Sequence, residues 1–386
     1  MAKKRSGRPG GKSARPRRRR NKPIISTRVA LTAAAALAAL AVAIGILSIV
    51  LTREPKRGVI LVPEGGSYEA SWAPALAETA SRLGLDALSI RTYSSDAELA
   101  ERLARARRER IVFAEAQVGP GLAELSLSGL ARPVDRAGAE AIPFYRGFLA
   151  SLEHPTDGGS LMAIPLAFEP WITVARLNRR NAQTRFPAIL AVAAKSDEDA
   201  LACAALASSP EGQAPDAVAT RLANLAGRDA FQRNAFTYSP RDAFAVFSDG
   251  GARYAYLPYS FFRALSPEEI IPLEIVPTPE QIATPKGASV IAKGTAIVVP
   301  AKGRFRSLTT ARVAAAISAP DLIYAVARAR NALPATTDTK VRDFHSDRIR
   351  ELARGAARFS FIGAMPASLA DGTSLVEAAR RALVAR

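Results

Sequence analysis

Few side chains in this sequence are equipped for bond chemistry. Of its two histidines, His154 stands in a turn-like "HPTDGG" and His345 in a charged "DFHSDR". Neither has the partner one helical turn away that a helical metal site needs. Cys203 is the single cysteine, so no internal disulfide can form. No nucleophile elbow, glycine-rich phosphate loop or cysteine cluster occurs. The acid-rich "SDEDA" (196–200) falls at an expected helix start, where the macrodipole favours negative charge, and reads as a cap rather than a catalytic carboxylate pair. "SDGG" (248–251) lacks the alternating acids of a calcium loop and reads as a turn. The expectation is therefore no catalytic residue, no metal and no cofactor. What remains is reversible binding through hydroxyls, amides and aromatic faces.

The elements that would position such groups begin after residue 56. "GVILVPE" (58–64) is a continuous apolar run, the pattern of a strand buried on both faces of a parallel sheet. A helical stretch from Glu69 to Leu83 follows, then a strand "ALSIRTY" (87–93). Ser95 and Glu98 form a capping box for a helix with Leu99 and Leu103 on one side, and "RIVFAEA" (110–116) returns to strand. This alternation predicts a doubly wound α/β sheet, in which ligands sit beyond the carboxyl ends of the strands. The loops there are "PEGGSY", "YSS" and "EAQVGPG", and their side chains best able to reach a ligand are Tyr68, Ser94, Glu115 and Gln117.

The N-terminus has a different composition. Residues 1–28 hold twelve Lys or Arg and no acid, so this tail carries most of the formal net charge of +18. Residues 29–51 are uncharged over 23 positions, a span of roughly 34 Å as a helix, enough to cross a bilayer core. They are expected to form a transmembrane helix, with the basic tail cytoplasmic and everything beyond Arg53 periplasmic or extracellular. A cleavable signal peptide is the alternative, but its apolar core is only about 7 to 15 residues long. The basic run reads as a topology signal rather than a nucleic-acid arm, because no base-reading module accompanies it. Beyond the tail the charge is nearly balanced, with 40 basic and 35 acidic residues over 54–386. That length exceeds what single cores usually reach, so two lobes are expected.

The order of segments resembles the bacterial extracellular solute-binding proteins of family 1, the sugar-type receptors of ABC importers. The resemblance is carried by "LMAIPLAFEPWITVARLNR" (161–179), "DAFAVFSDGGARYAYLPYSFFRAL" (242–265), "IVPTPEQ" (275–281) and "TAIVVPAKGRFRSLTTARVAAAISAPDLIYAVARARNALPA" (295–335). It implies a two-lobe fold of the type II periplasmic-binding kind, with residues 57–165 plus 276–335 in lobe 1 and 166–275 plus 336–386 in lobe 2. It also implies that "IPLAFEPWI" (164–172) is an interlobe hinge strand. Proline suits such a strand, since it fixes its own φ and biases Ile164 and Glu169 toward extended backbone. By the same resemblance Phe168, Trp171 and Tyr259 would face the cleft, with the Trp171 indole stacking on a sugar ring; the alternative for Phe168 and Trp171 is a core role filling the lobe junction, and Glu169, like Glu115, could accept from ligand hydroxyls.

Two departures stand out. The second lobe is short, with Ala-rich helices expected around Phe186–Ala207 and Pro215–Ala226, and an uncleaved N-terminal helix is unusual for this family. The closing "TSLVEAARRALVAR" is expected to dock on lobe 2 through Leu375, Ala379 and Leu383. The resemblance implies a membrane-anchored, extracytoplasmic, non-enzymatic receptor that captures a small polar solute, a sugar or oligosaccharide, for an ABC permease and contacts no nucleic acid. A receptor-like envelope scaffold or sensor that binds a protein partner is the alternative.

Overall fold

The three apolar runs after residue 56 become parallel neighbours in a ten-stranded sheet. In the computed structural model the described residues are 56–177, 188–206, 214–228, 230–277, 289–305, 307–343, 345–364 and 371–385, with seven positions between 32 and 42. Those seven, Thr32, Ala36 and Ala38 to Val42, are helical. The rest of the expected span 29–51, and the tail 1–28, lie outside the described residues. Among the described residues no helix is long and apolar enough to cross a membrane.

We number the ten strands in chain order: β1 Arg57–Pro63, β2 Ala87–Tyr93, β3 Ile111–Gln117, β4 Ile164–Arg176, β5 Ala188–Val192, β6 Ala252–Pro258, β7 Leu273–Val276, β8 Ser289–Val298, β9 Leu333–Pro334 and β10 Arg358–Phe361. They are arranged in the order β2-β1-β3-β8-β4-β6-β5, with β7 and β9 also paired to β4 and β10 to β8. β1 and β3 are buried along nearly their whole length, as unbroken apolar runs in a parallel sheet require. The helix expected over 69–83 is interrupted at Pro74, giving Gly66–Trp72 and Leu76–Leu83 joined by a 3₁₀ turn. Ser95 caps the helix Asp96–Ala104 as expected, accepting from the Glu98 amide.

β4 joins two lobes. Its first half pairs antiparallel with β8, from Ile164 opposite Ile297 to Pro170 opposite Ala292. Its second half pairs with β6, from Trp171 opposite Pro258 onward, and with β7 on the other edge. The two prolines fall where a missing N–H costs least. Pro165 lies at a register shift in the β8 ladder, and Pro170 is the last residue before the strand exchanges partners.

Beyond the exchange, alternate residues face two separate cores. Ile172 and Val174 belong to the large core, which takes in β1, β3 and β8 and also Phe244, Phe247, Leu257, Leu273 and Ile275. Trp171 points into a smaller one with Leu190, Val192, Tyr256 and the helices Asp197–Ala205 and Pro215–Gly227. The expected helix at 186–207 is thus corrected: its first part is strand β5, paired in parallel with β6, and the helix begins at Asp197. Both faces of "AILAV" can be covered there, and a paired edge then outweighs the helical propensity of alanine. Helix Leu375–Val384 packs on Pro215–Gly227 through Leu375, Val376 and Ala379. Helix Ser346–Gly355 and β10 lie instead against the first-lobe helix Arg146–Ser151.

Phe168 sits under the crossing. Its ring meets Tyr145 at 5.3 Å and Phe359 at 4.9 Å, with Phe148 at 6.1 Å, and its residue is 1% exposed. Phe168→Ala should therefore lower stability by about 3–5 kcal/mol. In urea denaturation this reads as a lower midpoint with an unchanged slope.

Candidate functional site

Where the two lobes approach each other, a groove of about 190 Å³ opens over β8. β8 supplies Lys293, Gly294 and Thr295 as its floor. Tyr68 and Gln117 stand on the first-lobe side, at the start of helix Gly66–Trp72 and the end of β3. Glu198 and Leu201 stand opposite, on helix Asp197–Ala205, whose first turn is held by the Ser196 hydroxyl accepting from the Asp199 amide. Gly294 is needed for its lack of a side chain, since a Cβ there would fall 2.2 Å from the Phe361 ring.

The polar groups facing this space are few. The Gln117 amide reaches the Tyr68 hydroxyl at 3.5 Å. Thr295 lines the groove, but its hydroxyl oxygen is itself buried, out of reach of solvent and without a hydrogen-bond partner. Lys293 and Glu198 form an ion pair between floor and wall, with the ammonium also 5.7 Å from the Trp171 ring centroid. Burial pulls the Lys293 pKa down, but the bond to Glu198 and the charges of Glu198, Glu169 and Asp199 outweigh it and leave it raised. Burial raises the Asp199 carboxyl pKa, against the pull of Ser196, Lys293 and Trp171.

Of the eight residues expected to reach a ligand, two line the groove: Tyr68 and Gln117. The other six are placed elsewhere. Ser94 gives its amide and hydroxyl to Glu98 at 2.8 Å, closing the helix start. Phe168 lies in the aromatic cluster and presents no face to solvent. Glu169 accepts from the Ser260 amide at 3.2 Å, at the first turn of helix Tyr259–Arg263. Trp171 is a buried member of the second core, beneath Lys293. Tyr259 is fully buried, its hydroxyl 3.4 Å from Asp343, and desolvation followed by that carboxylate raises its pKa.

Glu115 is also fully buried, and it has a supporting role. It accepts from the Trp72 indole at 2.7 Å and from the Arg330 guanidinium, one contact being 2.6 Å. The same guanidinium donates to Ser71 and lies 4.6 Å from the centroid of the Tyr68 ring. One face of the groove's aromatic ring is therefore covered by a cation that a buried carboxylate fixes in place. Sequence reasoning missed Lys293, Thr295, Glu198 and Leu201. The available signal was "KGT", a charge and a glycine interrupting the otherwise apolar run of β8.

No protein-family model and no curated protein matches the sequence. Solved structures do match in fold. The bacterial solute receptor AcbH, described with an exclusive preference for β-D-galactopyranose, superposes with a TM-score of 0.65 at 10% identity, covering 85% of this chain and 98% of that one. The sugar-binding protein MalE of Xanthomonas citri gives 0.58 at 14%, covering 85% and 96%. An ABC transporter solute-binding protein of Thermotoga lettingae, bound with α-D-tagatose, gives 0.54 at 11%, covering 86% and 95%. The fold is thus the two-lobed α/β fold of solute-binding receptors, as the order of segments implies.

The buried pair makes a specific demand on stability. Glu115→Gln leaves the Arg330 charge without its counterion and should cost about 3–5 kcal/mol, whereas the double replacement Glu115→Leu/Arg330→Met should recover most of the loss. Thermal unfolding of the parent and the two variants, followed by circular dichroism, checks this.

Proposed function

We propose that this protein is an extracytoplasmic receptor that holds a sugar in the groove over β8 and presents it to an ABC permease. The observation that carries the reading is the Thr295 hydroxyl, buried on the floor of an interlobe groove without a partner, between an amide-bearing wall and a charged one. An unbonded buried hydroxyl is costly, so a shift of the floor on binding that brings it to the groove would be rewarded by a bond to a ligand hydroxyl. Gln117, Glu198 and Lys293 offer further donors and acceptors, and Tyr68 offers one ring face. The binding properties of the fold relatives point the same way, since those named above are described with sugars or as sugar-binding.

At about 190 Å³ the groove is smaller than the roughly 300–1,000 Å³ of common small-molecule pockets, which favours a single sugar ring over an oligosaccharide. Ligand contacts to both lobes would favour a closed arrangement, with β4 and β8 as the connections that flex. No bond is made or broken in this cycle. Residues 29–51 would anchor the receptor beside its permease, with the tail 1–28 on the cytoplasmic side. The division 57–165 plus 276–335 and 166–275 plus 336–386 stays our working definition of the lobes, with 346–361 packed toward the first.

A second reading has its own support. The Lys293–Glu198 pair already bridges the groove, and no unobstructed aromatic platform stands there among the described residues. Both suit a receptor-like envelope scaffold or sensor whose partner is a protein.

Calorimetric titration of the full-length chain with galactose, glucose, tagatose, xylose and maltose separates the two. On the receptor reading at least one monosaccharide binds, its binding changes the emission of Trp171 through the displaced Lys293, and Thr295→Val or Gln117→Ala each weakens it about tenfold. Absence of binding across the panel would favour the scaffold.

A further inference from the structure

A second and larger cavity, about 770 Å³, opens on the first lobe away from the groove. Its rim is fixed by backbone pairing between two connecting segments. Phe144 bridges Thr336, the Tyr145 amide donates to the Ala335 carbonyl at 3.1 Å, and the Thr337 amide donates to the Pro143 carbonyl at 2.7 Å. Helix Ser346–Gly355 then brings two arginines to one point. Arg350 Nη2 at 2.6 Å and Arg354 Nη2 at 3.0 Å both donate to the Thr337 carbonyl oxygen. Arg350 Nε also donates to the Tyr145 hydroxyl at 3.3 Å.

The charges at this end are poorly answered by the protein itself. The Arg350 side chain is only 7% exposed, yet its nearest carboxylate, Asp347, is 3.7 Å away and 95% exposed, so that pair is largely screened by water. Arg354 and Arg146, which line the cavity, form no ion pair with any described residue. Two guanidinium groups converging on one neutral oxygen repel each other, and a buried cation without a close anion is costly. The opposite wall differs: Arg136 is held there between Glu140 and Glu153 and is neutralised.

We infer that the Arg146 and Arg354 end of this cavity, backed by the buried Arg350, binds a small oxyanion, a phosphate or carboxylate group, at a site distinct from the interlobe groove. The planar forks of Arg146 and Arg354, both lining the cavity, suit a multi-oxygen anion that can accept from both, and the buried charge of Arg350 adds to the positive field there. Behind this wall the fully buried Tyr145 hydroxyl accepts from Arg350 and helps hold that guanidinium in place, and desolvation raises the phenol pKa despite the pull of Arg350. Tyr145 and Phe148 pack in the aromatic cluster beneath, which holds this wall rigid.

The test is calorimetric titration of the full-length chain with inorganic phosphate and with citrate, in buffers matched in ionic strength with chloride. One saturable site is expected, weakened about tenfold or more by Arg146→Gln/Arg354→Gln. Both arginines are exposed on the rim, so the double variant should melt as the parent does. Sedimentation with phosphatidylglycerol vesicles distinguishes sources. Vesicle binding reduced by the double substitution makes a lipid headgroup the ligand, while phosphate or citrate binding lost without that reduction makes it a free molecule. The inference fails if neither small anion saturates and vesicle binding is unchanged, or if anion binding is indifferent to the double substitution. Neither failure touches the sugar groove, whose residues are not altered.

Discussion

One strand that changes partners in mid-course organises this protein. β4 runs thirteen residues, and up to Pro170 its ladder belongs to β8, whereas from Trp171 it belongs to β6 and β7. A strand's side chains alternate faces with a strict period of two, so a partner exchange without a slip keeps both cores in register. Proline at the exchange removes a donor where no ladder needs one. Everything that lies between the lobes, including the groove over β8, follows from where this exchange falls.

The groove itself is sparsely furnished. Its one aromatic ring, Tyr68, rests on Arg330, and that arginine is fixed by Glu115 and Ser71. A buried ion pair is an uncertain source of stability but a firm source of orientation, since neither partner can leave without stranding the other. Across the groove, Asp197 accepts from the Val376 amide at 3.0 Å, tying the helix that carries Glu198 to the C-terminal helix. Both walls therefore rest on connections distant in sequence. The floor is the exception, being a short local stretch, Lys293 to Thr295.

The element order was largely legible. β1, β2 and β3 fall within a residue or so of their apolar runs, and the C-terminal helix shows its stripe of Leu375 and Ala379. The misread stretch was 186–207, where alanine-rich sequence concealed strand β5. Its pairing with β6, more than sixty residues on, decides the matter. Site residues were less legible: Tyr68 and Gln117 follow from the rule that ligands gather at strand ends, but Phe168, Trp171 and Tyr259 turned inward. An aromatic residue beside proline carries the same letter whether it stacks on a ligand or fills a core.

By itself the sequence determined the alternation of strands and helices, the strongly basic N-terminus, and the scarcity of groups able to perform bond chemistry. These are local or compositional properties, set by apolar periodicity and by which residue types are present. Tertiary structure decided which faces of β4 meet which core, that Glu115 supports rather than lines the groove, and that Lys293 and Glu198 meet across it. It also decided that Arg350 and Arg354 share one carbonyl. Each of these depends on contacts between residues far apart in the chain, and burial, not residue type, determines what a polar or aromatic side chain is free to do.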